Sequence, residues 1–302
     1  KVPKFNFYKP DTFVVTSIEY DHADIYPNLE SINQVFSDKV LQLPAQATCV
    51  CCTDFDNLRD LVVKWKVSAK CRILTYGKDA KADYALTSLS MQAGTQRVRA
   101  KSLAGEEFSW TLKVPGAHNA SNSLAALIVS DLLGVDRQRS LAVLSNFQGV
   151  KRRQEVRLDH AGIVIIEDFA HHPTAVRETI LAVRTAYAGR RLWAIFEPRS
   201  NTSRKRVFQQ AYVEAFCAAD KVVLCEVAAR ANDVQADLIS VADLGEEISQ
   251  KGSSTQVLPT PKAIEALLVK ELAAGDVALI MSNGSFGGLC DNLVSALSKA
   301  CV

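Results

Sequence analysis

The second half of the chain alternates short apolar runs with amphipathic helical patterns, and this order restricts the folds open to it. The apolar runs lie at 162–168, 191–197, 221–227, 255–258 and 276–282. Helical patterns fill most of the intervals between them. Strands spaced in this way form a parallel sheet that is covered by helices on both faces. We therefore predict an α/β chain whose second domain, 150–302, is a Rossmann-like, doubly wound domain.

The first half of the chain has a mixed pattern. Its strand candidates are 12–18, 47–53 and 72–76. Residues 83–113 then alternate in short runs around a turn at Ala-Gly-Glu-Glu, which is typical of an antiparallel meander. Helical patterns follow at 118–133 and near 136–146. These features predict a mixed sheet with antiparallel strands, and the pattern breaks near Gly149, so the first domain is expected over 1–149.

The bulk composition excludes several classes of partner. The chain has 302 residues and a formal net charge of +2, which gives no reason to expect nucleic acid or an anionic membrane as a partner. No apolar run approaches the roughly 20 residues that a bilayer-spanning helix needs. We expect a cytoplasmic protein, and the sequence leaves its oligomeric state open.

Cysteine usage allows two interpretations. Cys49 and Cys52 have the CxxC spacing of many metal and redox sites, but a zinc site would need a second pair, and Cys71 follows alone. The same segment resembles a buried strand, in which thiols behave as small apolar groups. Reduced thiols of a cytosolic protein are the simpler interpretation.

Two adjacent histidines mark a junction between a strand and a helix. The run at 162–168 ends in Asp168, and His171, His172 and Pro173 follow. Ligands of parallel sheets bind beyond the carboxyl ends of the strands, where an acidic side chain can hold ribose hydroxyls. Pro173 suits the first turn of a helix, so both imidazoles would lie at its positive end. The alternative is two surface histidines without a function.

An acidic stretch with one histidine follows the first predicted strand. It contains Glu19, Asp21, His22 and Asp24. Carboxylates and an imidazole at a strand end suit Mg²⁺ or Mn²⁺. The alternative is that these residues form the loop itself, because Asp is common where strands turn.

Two further stretches could contact a nucleotide. His118 and Asn122 lie one helical turn apart and could bind the edge of a nucleobase, whereas Asn119 could simply cap the helix. Three consecutive cations, 151–153, lie at the domain junction. Arg153 could clamp a phosphate with its planar guanidinium group, or the stretch could be a solvated linker.

Two polar loops each follow a strand and precede a helical pattern. They read FEPRSNTSRKR, from Phe196, and IMSNGSFGGL, from Ile280. The second carries glycines at 284, 287 and 288, so its backbone amides could approach an anion. It lacks the Gly-Lys-Ser/Thr of a Walker phosphate loop.

Taken together and in this order, these segments resemble the Mur ligases over nearly the whole chain. The resemblance rests on six blocks: IEYDHADIY, HNASN, VKRRQEVR, EDFAHHPTAV, FEPRSNT and MSNGSFGGL. It implies that 1–149 is the latter part of a central ATP-binding domain and that 150–302 is the C-terminal ligase domain. The cofactors that it implies are ATP and Mg²⁺.

The resemblance also implies a reaction. Such enzymes activate the lactyl carboxylate of UDP-N-acetylmuramate as an acyl phosphate, which an amine then attacks. The blocks at 196–202 and 282–284 match the family member that joins the tripeptide L-Ala-γ-D-Glu-meso-diaminopimelate during peptidoglycan recycling. The alternative within the family is the member that adds L-alanine. The sequence does not distinguish meso-diaminopimelate from lysine in the peptide.

Each matching residue acquires an expected role from the resemblance. His22 would bind Mg²⁺. His118 and Asn122 would contact adenine, with Asn119 as a further cofactor-binding residue. Arg153 and Asp168 would hold the phosphate and the ribose. His171 and His172 would be catalytic residues that face the cleft between the domains. The expected binding residues for the incoming amine are Arg199, Ser200, Asn201, Ser282, Asn283, Gly284 and Ser285.

The sequence also departs from the family pattern. The uridine-nucleotide domain and the Walker loop of full-length members are missing, together with the acidic segment that supplies the first Mg²⁺ ligand. We therefore expect the chain to be a fragment that is inactive alone. Ser17 stands where the family has Asn.

Two rival functions come from other classes. A metal-dependent phosphoesterase would gather Asp21, Asp24, Asp168 and the three histidines 22, 171 and 172 around two metal ions. A non-catalytic module would keep the nucleotide and peptide sites without the phosphate loop. The phosphoesterase leaves HNASN and SNGSFGG unexplained.

Overall fold

A computed structural model describes residues 2–92, 94–227 and 237–299 of the chain. The chain divides into two compact units, 1–148 and 149–302. The boundary expected from sequence lies one residue further along.

The first unit is built on a mixed six-stranded sheet in the order β1-β2-β3-β4-β5-β6. Its strands are β1 (Thr12–Val15), β2 (Thr48–Cys52), β3 (Arg72–Gly77), β4 (Tyr84–Gln92), β5 (Thr95–Ser102) and β6 (Glu107–Leu112). The first four run parallel to their neighbours, whereas β4, β5 and β6 form an antiparallel meander. The predicted mixed sheet is confirmed.

Helices cover this sheet. They are α1 (Leu29–Gln42), α2 (Asp56–Ser68), α3 (Ala117–Leu132) and α4 (Arg137–Asn146). Side-chain caps fix two of the starts, because Asn28 accepts the Ser31 amide and Asp136 accepts the Arg139 amide. The helix α1 was not predicted.

Strand β2 shows why the CxxC spacing does not make a metal site. Side chains alternate across a strand, so residues three apart point to opposite faces. Cys49 and Cys51 pack with Leu58 and Trp65 in one core, whereas Cys52 packs with Leu124 in the other. All three thiols are free and buried, as the interpretation of small apolar groups requires.

The second unit contains a six-stranded sheet in the order β11-β10-β9-β12-β8-β7. Its strands are β7 (Glu155–His160), β8 (Ile163–Asp168), β9 (Arg191–Phe196), β10 (Lys221–Cys225), β11 (Ser254–Leu258) and β12 (Asp276–Met281). All neighbours are parallel except β7, which pairs antiparallel with β8 at the edge. The strand β12 comes last in the chain and lies between β8 and β9.

Helices of the second unit cover both faces of its sheet. They are α5 (Pro173–Ala186), α6 (Gln209–Phe216), α7 (Val241–Gln250), α8 (Pro261–Glu271) and α9 (Leu289–Lys299). On β9, Trp193 belongs to the core with Leu268 and Leu293, and Phe196 contacts Tyr212 on the other face with ring centroids 5.2 Å apart. The predicted two-faced parallel sheet is confirmed.

Two elements of the second unit differ from the prediction. The charged stretch after Gly149 contains strand β7, whose pattern is weak because an edge strand buries few side chains. The helical pattern between the second and third apolar runs of this half covers 203–219, but only α6 and a short 3-10 turn at Arg206–Phe208 before it are helical there. Within the described residues, no helix is long and apolar enough to cross a membrane.

An ion pair fixes the starts of two neighbouring strands. Asp276 opens β12, is 2% exposed and accepts Nε and Nη2 of Arg191, both at 2.7 Å. Burial by itself would raise the pKa of the Asp276 carboxyl, but hydrogen bonds from Arg191 and from the Ala273 amide bring that pKa below its usual range.

We predict that Arg191→Ala lowers the free energy of unfolding at neutral pH by about 1–3 kcal/mol, because it leaves a buried carboxylate with fewer donors. The folded-state pKa of Asp276 is depressed, so its contribution is present above the unfolded pKa and is lost as the pH falls through the folded pKa. Chemical denaturation from pH 7 downwards should show the difference from wild type shrink. The control is Arg177→Ala, whose guanidinium is similarly exposed and pairs with Glu178 on the surface. Equal losses in both variants would contradict the prediction.

Candidate active site

Three neighbouring strands of the second unit end in one row at the carboxyl edge of the sheet. Met281 at the end of β12 is the register partner of both Asp168 on β8 and Phe196 on β9. The Ser282 amide donates to the Asp168 carbonyl at 3.1 Å, and the Glu197 amide donates to the Met281 carbonyl at 3.2 Å. The segments that leave these strands, which we call the strand-end loops, therefore start side by side. They comprise residues 169–172, 197–201 and 282–285.

The middle strand-end loop, 282–285, is held by its own polar groups. The buried Ser282 hydroxyl donates to the Glu197 carboxylate at 2.5 Å and accepts the Gly284 amide at 2.9 Å. The carbonyl of the exposed Ser285 accepts the Gly288 amide. The amides of Gly284 and Gly288, which the sequence suggested for binding an anion, thus donate to nearby residues of the chain instead. The Oδ1 atom of Asn283 is buried and meets no hydrogen-bond partner among the described residues.

Arg199 reaches the middle loop from the neighbouring one. Its guanidinium lies against Gly284, where an added Cβ would be 2.5 Å from Nη1 and 2.6 Å from Cζ. The Arg199 side chain is 49% exposed, and Nη1 lies 4.0 Å from Oε1 of Glu197. A half-exposed cation beside a carboxylate can bind a group that carries both charges.

The predicted neighbours of Arg199 shape the turn after β9. The Ser200 hydroxyl accepts the Ser203 amide at 2.9 Å and contacts the Ser203 hydroxyl at the same distance. Asn201 is exposed in this turn. Ser200 therefore has a local structural role, and the substrate role of both residues stays a prediction.

Asp168 is an anchor in this structure. It is 4% exposed, its Oδ1 accepts the Ala170 amide and its Oδ2 accepts the Gln154 amide, both at 2.7 Å. Burial raises the pKa of the Asp168 carboxyl, and the two amides and Arg153 oppose that rise. Oδ2 ties the turn at 152–154 to the end of β8 and Oδ1 holds the start of the loop that follows the strand. Contact of Asp168 with a ribose stays a prediction.

The ring of Phe169 contacts two arginines at the start of the second unit. The Cζ atoms of Arg152 and Arg153 lie 5.2 and 5.1 Å from its ring centroid, which is within the range of cation–π attraction. Arg153 is exposed and could reach a phosphate, whereas Arg152 is half-buried.

The two histidines have local partners at the start of α5. His172 caps the helix, because its Nδ1 accepts the Thr174 amide at 3.4 Å. Nδ1 of His171 lies 3.0 Å from the Phe169 carbonyl, and the Tyr212 hydroxyl donates to the His171 carbonyl. These contacts fix the His171 backbone and one nitrogen of each ring. Their catalytic role stays a prediction.

In the first unit, His22 occupies a strained position in the acidic stretch. Its φ is +52°, in the left-handed region, and its side chain is 65% exposed. The Asp21 carboxylate accepts the His22 amide at 2.6 Å. Across the described ranges, no group of three or more His, Cys, Asp and Glu side chains could hold a metal ion. Within either unit, the residues named by the phosphoesterase hypothesis therefore form no such metal-binding group among the described residues.

The HNASN stretch opens helix α3. Gly116 caps it with φ +115°, and buried Gln96 binds both the amide of Gly116, at 2.6 Å, and its carbonyl, at 3.2 Å. Asn119 lies inside the helix and donates to the Pro115 carbonyl at 2.7 Å, so its interpretation as the helix cap is wrong. His118 is partly buried and Asn122 is exposed on the first turns of this helix.

Sequence reasoning missed two residues that shape these regions. Glu197 follows buried strand β9 directly, which is the signal that singled out Asp168 at the end of β8. Gln96 gave no local signal, because its partner Gly116 lies 20 residues further along the chain.

Both units match family models. Residues 4–130 match the Mur ligase middle domain, and residues 152–284 match the Mur ligase glutamate ligase domain. The UDP-N-acetylmuramate–L-alanine ligase of Desulfitobacterium hafniense is 29% identical over 95% of this chain. That of Lachnospira eligens is 31% identical over 96% of the chain. The chain spans 62% of the length of each relative.

Solved structures show the same fold. The UDP-N-acetylmuramate–alanine ligase of Thermotoga maritima matches 98% of this chain and 61% of its own with a TM-score of 0.75 and 21% identity. The murein peptide ligase of Psychrobacter arcticus matches 97% of this chain and 58% of its own with a TM-score of 0.64 and 27% identity. The curated relatives are thus named for the L-alanine alternative, and the tripeptide is unconfirmed.

We predict that Asp168→Asn destabilises the second unit by about 1–3 kcal/mol, because an amide NH₂ would face one of the two backbone amides that the carboxylate now accepts. Thermal and urea unfolding, followed by circular dichroism, would measure the change. Asp159→Asn on the exposed edge strand β7 is the matched control and should be neutral. Unchanged stability of Asp168→Asn would show that the carboxylate does not anchor the turn.

Proposed function

The chain belongs to the Mur ligase family, and from this premise we propose that the full-length protein joins an amine to the lactyl carboxylate of UDP-N-acetylmuramate at the expense of ATP. The chain spans about three fifths of its curated relatives, so the activity is proposed for the whole protein. The observation that carries the proposal is the row of strand-end loops, because they place the half-exposed Arg199 beside the Glu197 carboxylate, and the exposed Arg153 contacts Phe169 of one of these loops. We place the reaction in the cytoplasm.

The proposed chemistry has two steps. A phosphoryl group passes from ATP to the carboxylate, and the amine then attacks the acyl phosphate and releases phosphate. The first step needs cations around spreading negative charge, a role for Arg153. The second needs a neutral amine held near the carbonyl carbon, so positioning by the strand-end loops dominates. His171 and His172, at the start of α5, are the proposed neighbours of the reacting groups.

Nucleotide binding is assigned to residues of both units. We propose that His118 and Asn122 contact the adenine, with Asn119 as a further cofactor-binding residue, and that Asp168 contacts the ribose. Mg²⁺ would neutralise phosphate charge when bound, and the exposed His22 imidazole would supply one ligand. The described residues contain no group of three metal-binding side chains, so His22 is the one ligand proposed within them.

Two amine substrates are candidates. The names of the curated relatives support L-alanine more directly. We nevertheless propose the tripeptide L-Ala-γ-D-Glu-meso-diaminopimelate, because substrate choice depends on the site and identity near 30% is averaged over the chain. The two blocks that match the tripeptide enzyme, 196–202 and 282–284, are the ones that meet where Arg199 packs on Gly284.

We expect this chain to bind the tripeptide and not free L-alanine in isothermal titration calorimetry. This chain should be sufficient for binding, because Arg199 and Glu197, the charged groups proposed to hold the peptide, both lie in its second unit. Binding of L-alanine alone would overturn the tripeptide assignment in favour of the sister activity.

The same titrations on the full-length protein are the control. If it binds neither amine and forms no ADP with UDP-N-acetylmuramate and either of them, the proposed ligase activity itself is wrong. Binding by the full-length protein but not by this chain would place essential contacts outside the chain.

We also predict that Gly284→Ala weakens tripeptide binding by about tenfold while leaving the fold intact. The added Cβ would displace the Arg199 guanidinium, which is the far end of a flexible side chain, so the backbone need not move. Calorimetry measures the affinity, and the unfolding midpoint reports the fold. Arg199→Ala should give a similar loss, and unchanged affinity in both variants would exclude Arg199 as a binding residue.

A further inference from the structure

Arg152, the neighbour of the predicted phosphate ligand, binds the backbone of the middle strand-end loop. Its Nη2 donates to the Ser282 carbonyl at 2.9 Å and also to the Gly284 carbonyl. Its Nε donates to Oε1 of Glu167 at 2.9 Å. One guanidinium group thus fixes two carbonyls that lie 130 and 132 residues further along the chain.

The backbone of Arg152 is itself fixed. Its φ is +58°, its amide donates to Oε2 of Glu155 at 2.8 Å, and its carbonyl accepts the Phe169 amide at 2.9 Å. The guanidinium also contacts the ring of Phe169. A side chain that is anchored at both ends makes a rigid support, since its planar fork loses little freedom on binding.

The two side chains assigned to the amine substrate, Glu197 and Arg199, contact the same loop. Glu197 accepts the Ser282 hydroxyl, and Arg199 lies against Gly284. A shift of the 282–284 backbone would therefore move both groups. Arg152 thus binds the same backbone segment that these two groups contact.

We propose that Arg152 is a positioning residue that holds the 282–284 loop in the shape that receives the amine substrate. The expected effect on kinetics rests on the proposed ligase function. The expected effect on the mobility of the loop rests on the loop contacts alone. It assigns different tasks to adjacent cations, Arg153 toward phosphate and Arg152 toward the loop.

Arg157 provides a matched control. It binds the same carboxylate, Glu167, and its side chain is 24% exposed against 27% for Arg152. It also contacts the Asp291 carboxylate and the Cys290 thiol, both at the start of α9 and outside the 282–284 segment. Arg157→Ala therefore disturbs the shared ion network and spares the two loop carbonyls.

The first test is hydrogen exchange of the backbone at 279–288 and at Glu197 in this chain. Arg152→Ala should speed exchange of the Gly284 and Glu197 amides, Arg152→Lys should have an intermediate effect because lysine can reach one carbonyl, and Arg157→Ala should have none. Unchanged exchange in Arg152→Ala would overturn the proposal whatever the activity of the enzyme.

The second test is steady-state kinetics of the full-length protein. Arg152→Ala should raise KM for the amine by about tenfold or more, the effect of losing a charge-assisted hydrogen bond, and leave KM for ATP unchanged. Arg152→Lys should restore part of the loss. An equal rise in both KM values would make Arg152 a general structural residue and overturn the proposal. If wild type forms no product, the ligase function is wrong, and the exchange measurement still decides the positioning role.

Discussion

The placement of β12 between β8 and β9 is the constraint on which the rest of the second unit depends. Every residue of β12 is buried, and the strand is hydrogen-bonded on both sides. This pairing aligns the ends of three strands, so that the segments leaving them start at one level. Without it, Glu197, Ser282 and the Asp168 anchor would not share an edge of the sheet.

Ion pairs between a carboxylate and an arginine stabilise both ends of these strands. At the amino end, Arg191 satisfies the Asp276 carboxylate. At the carboxyl end, Glu167 is bound by Arg152 and Arg157. In both places a carboxylate in the sheet orients an arginine from a neighbouring strand or turn. Replacing one arginine leaves the carboxylate with fewer donors, so each pair contributes to the structure by satisfying a carboxylate of the sheet.

Sequence reasoning located the strands of this unit well, because buried parallel strands are continuous apolar runs. It failed at β7, since a charged edge strand carries little of that signal. It also placed Asp168 correctly at a strand end. It could not foresee that the amides of Gln154 and Ala170 use both carboxylate oxygens, because these contacts depend on a turn whose path only the fold defines.

The same limit applies to neighbouring residues of equal type. Arg152 and Arg153 are indistinguishable by composition, and a left-handed φ at Arg152 turns one toward the loop and leaves the other exposed. His171 and His172 likewise differ in their contacts rather than their chemistry. The strand period of two could have excluded a shared site for Cys49 and Cys52, since it places them on opposite faces.

The late position of β12 in the chain has a consequence for folding. Its partners β8 and β9 are synthesised far earlier, so the pairing closes large loops and the transition state must bear that entropy. Until β12 is in place, the apolar flanks of β8 and β9 lack their shared neighbour and are open to incorrect pairing. The strand-end loops therefore come together late, and a nascent chain that stops short of residue 281 would hold every predicted histidine and the predicted arginines without an organised edge to carry them.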